Sequence, residues 1–168
     1  AYLRWGIEFV KHLRGMFAIA ILDDSTLYLF RDRLGKKPIF YMNTHSFVFA
    51  SEIKALVPFL DSVEMDEDAL LSYLSFLAPT PPFTFFKNIK KLGAGEYLCL
   101  KDGKVSIQKY FDLLDARPNL ICDRDEALFR LDEALDEAVK IRLSSDVPMA
   151  SLLSGGIDSA AINAYALK

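Results

Sequence analysis

Val147-Pro148-Met149-Ala150-Ser151-Leu152-Leu153 runs straight into Ser154-Gly155-Gly156-Ile157-Asp158-Ser159, and this junction decides the fold of the last third of the chain. Residues 147–153 are short and mostly apolar, which predicts a buried strand of a parallel sheet. Asp158-Ser159-Ala160-Ala161-Ile162 then opens an amphipathic helix. A strand, a glycine loop and a helix start together make a geometry that holds an anion. Glycine lets the backbone approach the anion with no Cβ in the way. The unpaired N–H groups of the first helical turn point at it, and the helix dipole adds positive charge at the same end. Ser154 and Ser159 add hydroxyl donors. Asp158 would repel an anion, so its expected work is to cap the helix, hold Mg²⁺ or accept from a ligand donor. The plainer alternative is a Gly-Gly turn with Ser and Asp as caps, and the whole pattern behind an apolar run favours phosphate.

The junction is not a Walker A loop, because no Gly-Lys-Ser/Thr follows at the required spacing. It resembles the Ser-Gly-Gly-x-Asp-Ser signature of the ATP pyrophosphatase (PP-loop) superfamily. That resemblance implies a loop that binds the phosphates leaving as pyrophosphate while AMP passes to the substrate.

Upstream, Asp123 with Glu126 three residues on makes a capping-box start. Leu128, Leu131, Leu135, Ala138 and Val139 follow at helical spacing, and Ser144-Ser145-Asp146 ends that helix. Residues 112–124 carry Asp, Pro and Asn with weak periodicity and read as a linker. Before it the grammar changes to short strands. Met16–Leu22 and Leu27–Phe30 read as a hairpin about Asp23-Asp24-Ser25, with the first strand expected to be buried on both faces. Ile39–Met42 pairs with Phe47–Ala50, and Glu96–Leu100 pairs with Val105–Tyr110 about Lys101-Asp102-Gly103-Lys104. Three helices are expected. One covers 2–14 with Leu3, Ile7, Val10 and Leu13 on its face. A short one covers 52–57, ending near Pro58. The third is capped by Asp66, with Ala69, Leu70, Tyr73, Leu74 and Leu77 on one side.

Composition bounds the function. Of 168 residues, 52% are hydrophobic and 26% charged, which fits a globular chain with a core. A net charge of −3 lacks the basic footprint of a nucleic-acid binder. The longest apolar run, Met16–Leu22, is far short of the about 20 residues a spanning helix needs. Cys99 and Cys122 make neither a disulfide framework nor a four-ligand zinc site, and are expected to be reduced and at least half-buried in a cytoplasmic protein. His12 and His45 have no carboxylate or cysteine at metal-ligand spacing. The chain begins at Ala1 inside a helical pattern, without an initiator Met, and its beginning is expected to be missing.

Several motifs in order carry a more specific resemblance. Arg14-Gly15-Met16-Phe17-Ala18 with Asp23 comes first, then Arg31-Asp32-Arg33-Leu34-Gly35-Lys36-Lys37-Pro38-Ile39-Phe40-Tyr41. Phe49-Ala50-Ser51-Glu52-Ile53-Lys54-Ala55-Leu56 follows, then Lys91-Leu92 with Gly95, then Arg142-Leu143-Ser144-Ser145-Asp146-Val147-Pro148 running into the glycine loop. Nearly the whole chain is thus similar to glutamine-dependent asparagine synthetases. The resemblance implies an α+β N-terminal-nucleophile (αββα sandwich) glutaminase part over 1–111. A linker over 112–124 and the start of an α/β PP-loop ATP pyrophosphatase domain over 125–168 would follow. It implies an enzyme using glutamine, aspartate and ATP with Mg²⁺, with no nucleic-acid or membrane partner, and it leaves a homodimer open. Ammonia released from glutamine would travel a tunnel and attack an aspartyl-adenylate, giving asparagine.

Carried over residue by residue, Leu152 stands where that family makes a main-chain contact to adenine. Ser154, Gly155, Gly156, Asp158 and Ser159 match its phosphate loop. Met16 falls near its ammonia tunnel, with an ordinary core methionine as the equal alternative. Arg31-Asp32 reads as an interdomain or structural ion pair. No catalytic residue is assigned, because the family's nucleophile is an N-terminal cysteine that uses its own α-amino group as base, and neither Cys99 nor Cys122 can replace it. Three other readings stay open at this point: a sister amidotransferase acting on another carboxylate, another PP-loop class such as a tRNA-modifying enzyme, and a non-enzymatic β-rich module.

Overall fold

Asp24, with a positive φ of 50°, and Ser25 close a tight turn between β1 (Ala18–Asp23) and β2 (Thr26–Arg31), pairing Asp23 with Thr26 and Ala18 with Arg31. The computed structural model describes residues 1–115 and 121–168, so the middle of the expected linker lies outside the described residues. The chain divides into two compact units, Ala1–Ala116 and Arg117–Lys168.

In the first unit two antiparallel sheets form. One has the order β1-β2-β6-β7, with β6 at Glu96–Lys101 and β7 at Lys104–Lys109. The other has the order β4-β3-β5, from β3 (Phe40–Asn43), β4 (Phe47–Ala50) and β5 (Lys90–Lys91). Strand alternation sorts their side chains into layers. Leu29 and Leu98 of the larger sheet pack with Ile39, Tyr41 and Leu92 between the two sheets. Phe30 and Tyr97, one residue along each strand, point the other way onto Phe9 and Val10. Met42, one residue after Tyr41, packs outward on Leu56 and Ile89. Leu29, Phe30, Leu56, Ile89, Leu92 and Leu98 are completely buried. Burying each such side chain stabilises the fold by about 1.5–3 kcal/mol.

The N-terminal segment is a turn of helix α1 (Tyr2–Trp5) followed by a 3₁₀ stretch, Gly6–His12, rather than one α-helix over 2–14. Of the expected face, Val10 is buried and Ile7 and Leu13 pack partly buried on the same cluster, while Leu3 is fully solvent-exposed and Phe9 takes a buried place that the helical spacing did not give it. The first strand is also corrected. β1 is an edge strand with only Ile19 and Ile21 turned toward the Phe30 cluster, while Ala18, Ala20 and Leu22 are exposed. Ala18 and Ala20 line a cleft beside Phe49 and Ala50 instead of packing into a core, so only one face of β1 is covered. The expected helix over 52–57 is two 3₁₀ turns, Ile53–Ala55 and Val57–Phe59, with Pro58 inside the second.

α2 (Glu67–Phe76) starts where Asp66 accepts the Ala69 N–H at 3.0 Å, and ends on Leu77 in the left-handed region at φ 59°. Of its expected apolar side only Ala69 is fully buried; Leu70, Tyr73, Leu74 and Leu77 are exposed. Cys99 is half-buried as expected, but Cys122 is exposed, and both are free. His45 lies 3.0 Å from the Asp61 carboxylate through Nε2, an exposed pair formed by residues far apart in sequence.

The second unit consists of α3 (Arg124–Lys140) and α4 (Ile157–Ala166) with an extended connection. Asp123 accepts the Glu126 N–H at 2.8 Å, as the capping pattern required. The helix stops at Lys140, before Ser144. Leu135, Ala138 and Val139 turn toward α4 around a hollow of about 620 Å³ that Met149 and Ile162 also line. Residues 147–153 do not form the expected buried strand. Val147, Met149, Leu152 and Leu153 are all exposed. A parallel strand needs a neighbouring strand to satisfy its backbone, and among the described residues this unit has none. Among the described residues no helix is long and apolar enough to cross a membrane.

Candidate functional site

The glycine loop closes onto α4 within one turn. Gly155 adopts φ +81°, a backbone conformation that favours glycine, and Gly156 follows as the N-cap with an extended backbone at φ −82° and ψ 158°. No side chain caps this helix, so the capping role considered for Asp158 is not the one seen; Asp158 sits in the first turn. The first backbone bond of α4 runs from the Ala160 N–H to the Gly156 carbonyl at 3.1 Å. Among the described residues, nothing accepts from the N–H groups of Ile157, Asp158 or Ser159. These are the orphan donors that every helix start leaves, aimed outward at an exposed surface.

The serines are arranged differently from the donors expected. Ser159 Oγ donates to the Gly156 carbonyl at 2.9 Å, and Ser154 Oγ lies 3.0 Å from Ser159 Oγ. Their hydroxyls thus brace the loop, and the uncommitted donors are main-chain amides. Asn163 donates to the Ser159 carbonyl at 2.7 Å and ties the same turn to the next. Ser154, Gly155, Gly156, Asp158 and Ser159 therefore stand together. Leu152 lies just before them with its side chain 94% exposed. No loop residue from 154 to 159 lines the hollow between α3 and α4. Among the described residues no group of His, Cys, Asp or Glu is placed to hold a metal ion.

Met16 belongs to the first unit. It is 56% exposed, at the rim of a concavity of about 600 Å³ walled by residues 16–18, 37–38 and 51–52. It is not a core methionine. Beneath the rim sits what the sequence reading missed. Arg31 and Asp32 are both buried, yet they do not spend themselves on one another. Asp32 Oδ1 accepts from Leu34 N (3.2 Å) and Lys36 N (2.9 Å). Oδ2 accepts from Lys37 N (2.8 Å) and Phe17 N (3.4 Å). Arg31 donates to the carbonyls of Lys37, Leu92 and Gly35. Burial alone would raise the Asp32 pKa, but these backbone donors outweigh it and hold the carboxyl below its ordinary value. Burial pulls the Arg31 value down, and the Asp32 and Glu96 charges resist that. The expected ion pair is thus a double backbone clamp. A signal for it was present in the tight Gly-and-Pro-punctuated segment 33–38, whose N–H groups need acceptors once buried.

Comparison with known proteins bears on both units. The glutamine amidotransferase domain family matches residues 1–111, and the asparagine synthase family matches residues 130–168. Asparagine synthetase [glutamine-hydrolyzing] 1 of Bacillus subtilis is 35% identical over 96% of this chain and 26% of its own length. A putative glutamine-hydrolysing asparagine synthetase of Methanocaldococcus jannaschii is 34% identical over 96% of this chain and 32% of its own length. The amidase chry2 of Gibberella zeae is 35% identical over 96% of this chain and 24% of its own length. The chain spans about a quarter to a third of the length of these relatives. The amidotransferase match takes in most of the chain, including the clamp, the rim above it and both sheets, and on that match the chain belongs to the glutamine amidotransferase domain family.

Proposed function

We propose that this chain serves an ATP-dependent ligase that makes asparagine from aspartate with ammonia released from glutamine. Residues 1–111 would be an N-terminal-nucleophile glutaminase part, 112–124 a linker and 125–168 the opening of a PP-loop synthetase domain. The observation that carries the reading is the set of uncommitted amides at Ile157, Asp158 and Ser159 behind Gly155-Gly156, in the region matched by the asparagine synthase family.

The residues fit a nucleotide triphosphate. Open amides at a helix start offer directed donors and the positive end of the dipole, and Gly156 presents no Cβ to a phosphate. ATP bound there would supply the AMP group. Glutamine and water give glutamate and ammonia. The aspartate side-chain carboxylate displaces pyrophosphate from ATP to give an acyl-adenylate. Ammonia then displaces AMP to give asparagine. Activation is needed because a carboxylate is a poor electrophile. A water-poor passage between the two steps keeps ammonia neutral, since burying an ammonium is costly. Mg²⁺ would accompany the phosphates, with Asp158 the nearest carboxylate on the loop. Leu152 would offer its main chain to adenine.

A second reading has a specific observation behind it. The amidase chry2 is as identical to this chain as the synthetases are, so a relative with a different named activity shares the matched sequence, and a sister amidotransferase acting on another carboxylate is the second reading. One experiment separates them. The full-length protein is incubated with glutamine, Mg-ATP and either aspartate or other carboxylates, and AMP, pyrophosphate and amide product are measured. Asparagine with stoichiometric AMP, lost in Asp158→Ala, is the expected result. AMP only with another carboxylate favours the sister enzyme, and ADP with phosphate overturns the PP-loop reading.

A further inference from the structure

The Gly156 carbonyl accepts twice, from the Ala160 N–H at 3.1 Å and from Ser159 Oγ at 2.9 Å. Ser159 has one hydroxyl proton and commits it there, so Ser154 Oγ, 3.0 Å away, is the donor of the serine pair. The Gly156 carbonyl shares its peptide unit with the Ile157 N–H, one of the open amides at the start of α4. The Ala160 N–H in turn shares its peptide unit with the Ser159 carbonyl, and that carbonyl accepts from Asn163 Nδ2 at 2.7 Å. These bonds make one directional chain. It runs from the Asn163 side-chain amide through the Ser159–Ala160 peptide and the Gly156–Ile157 peptide to the open Ile157 N–H. Each bond in such a chain polarises the next, so a donor at one end makes the amide at the other end a stronger donor. Asn163 is half-buried and lines the hollow between α3 and α4, which no residue of the glycine loop lines. It reaches the loop through the backbone.

We propose that Asn163 is a positioning residue for the nucleotide phosphates: by donating to the Ser159 carbonyl it strengthens and aims, two peptide units away, the Ile157 N–H that meets the anion. This rests on the ligase reading above, in which the open amides of α4 hold the phosphates of ATP. The chain also says which substitutions are informative. Asn163→Ala removes the terminal donor and puts the best helix former in its place, so helix stability is not what it lowers. Asn163→Ser returns a donor, because a serine hydroxyl inside a helix bonds the carbonyl four residues back. Ile157→Pro removes the N–H on which the chain ends.

The test is a double-mutant cycle on the full-length protein, with Mg-ATP affinity read by calorimetry and folding checked by far-ultraviolet dichroism. Asn163→Ala is expected to weaken ATP binding about threefold, the size of a cooperative loss along two links of a bond to a charged group. Asn163→Ser is expected to recover most of that loss. In the Ile157→Pro background Asn163→Ala is expected to have no further effect, because the amide it acts through is gone. A merely structural role would weaken binding by the same factor in both backgrounds. Asn163→Leu, which keeps the bulk and lacks the donor, is the second variant and takes the place of Asn163→Ala in the cycle if that chain cannot be isolated folded. Wild-type affinity in the donor-less variant, equal losses in both backgrounds, no recovery with Asn163→Ser, or failure of both donor-less variants to fold overturns the inference and leaves the ligase reading standing. A wild type that binds no ATP, or an Ile157→Pro chain that binds it unchanged, overturns the phosphate-loop reading first, and the inference with it.

Discussion

The Tyr110 hydroxyl donates to the Arg31 carbonyl at 2.6 Å, joining the residue just past β7 to the last residue of β2. Burial, with the Asp32 charge adding to it, pushes the Tyr110 pKa up to about 12. The hydroxyl thus stays a donor throughout the neutral range. Tyr110→Phe removes that donor and leaves a buried carbonyl short of a partner. The expected cost is about 1–2 kcal/mol in urea unfolding. The sign with pH follows from the raised value. Stability from Tyr110 is complete below the unfolded tyrosine pKa near 10 and is lost as pH rises toward 12. Wild type and Tyr110→Phe should therefore converge at the alkaline end.

Acid should act on the clamp in the opposite sense. The Asp32 carboxyl titrates below its ordinary value in the folded chain. Its contribution is present above the unfolded aspartate value and lost as pH falls through the lower folded one. Unfolding midpoints of wild type and Asp32→Asn are expected to differ by a constant amount near neutrality. The gap should narrow below about pH 4, the ordinary aspartate range. A gap independent of pH would show that the carboxylate charge is not what the loop uses.

Gly95 is expected to tolerate nothing larger. It adopts φ +67°, and a Cβ built on it would stand 2.3 Å from the Phe111 carbonyl oxygen. Its own backbone is fully used: its N–H donates to the Asp32 carbonyl, and its carbonyl accepts from Tyr110 and Phe111. Gly95→Ala should cost well over the about 1 kcal/mol of a simple left-handed penalty, because backbone must move as well. Circular dichroism melting of the two chains measures it.

Ile157→Pro separates phosphate binding from helix stability. Ile157 is the first helical residue, where proline's fixed φ fits and no backbone donor is used within the helix. Gly156 before it is already extended, as a residue preceding proline prefers, and the Ile157 side chain is 88% exposed. Helicity should be unchanged. ATP affinity of the full-length protein, read by calorimetry, should fall about tenfold or more, the worth of one lost hydrogen bond to a charged group. Unchanged affinity would mean the amide at 157 holds no phosphate.

Asp123→Ala removes the acceptor for the Glu126 N–H at the start of α3. The expected loss is about 1 kcal/mol of helix stability. Far-ultraviolet dichroism against temperature reports it, and Asp123→Asn should restore most of the loss.

What the sequence determined by itself was local. The caps at Asp66 and Asp123, the hairpins about Asp24-Ser25 and Asp102-Gly103, and the glycine loop before α4 were all legible. Each depends on residues within a few positions of one another, where side-chain chemistry acts directly on the backbone. Tertiary structure decided the rest. That Phe9 joins Ile7, Val10 and Leu13 on the Phe30 cluster while Leu3 stays exposed depended on the 3₁₀ winding of Gly6–His12. Whether β1 is covered on one face or both depended on what packs against each face: Ile19 and Ile21 meet the Phe30 cluster, whereas Ala18 and Ala20 line a cleft. Residues 147–153 had a strand's composition but, among the described residues, no neighbouring strand to complete its hydrogen bonds. Arg31-Asp32 read as a charge pair because adjacent opposite charges suggest one. Only the folded chain brings the Phe17, Lys37 and Leu92 backbones around them, and a buried charge settles on whichever partners satisfy all of its hydrogen bonds.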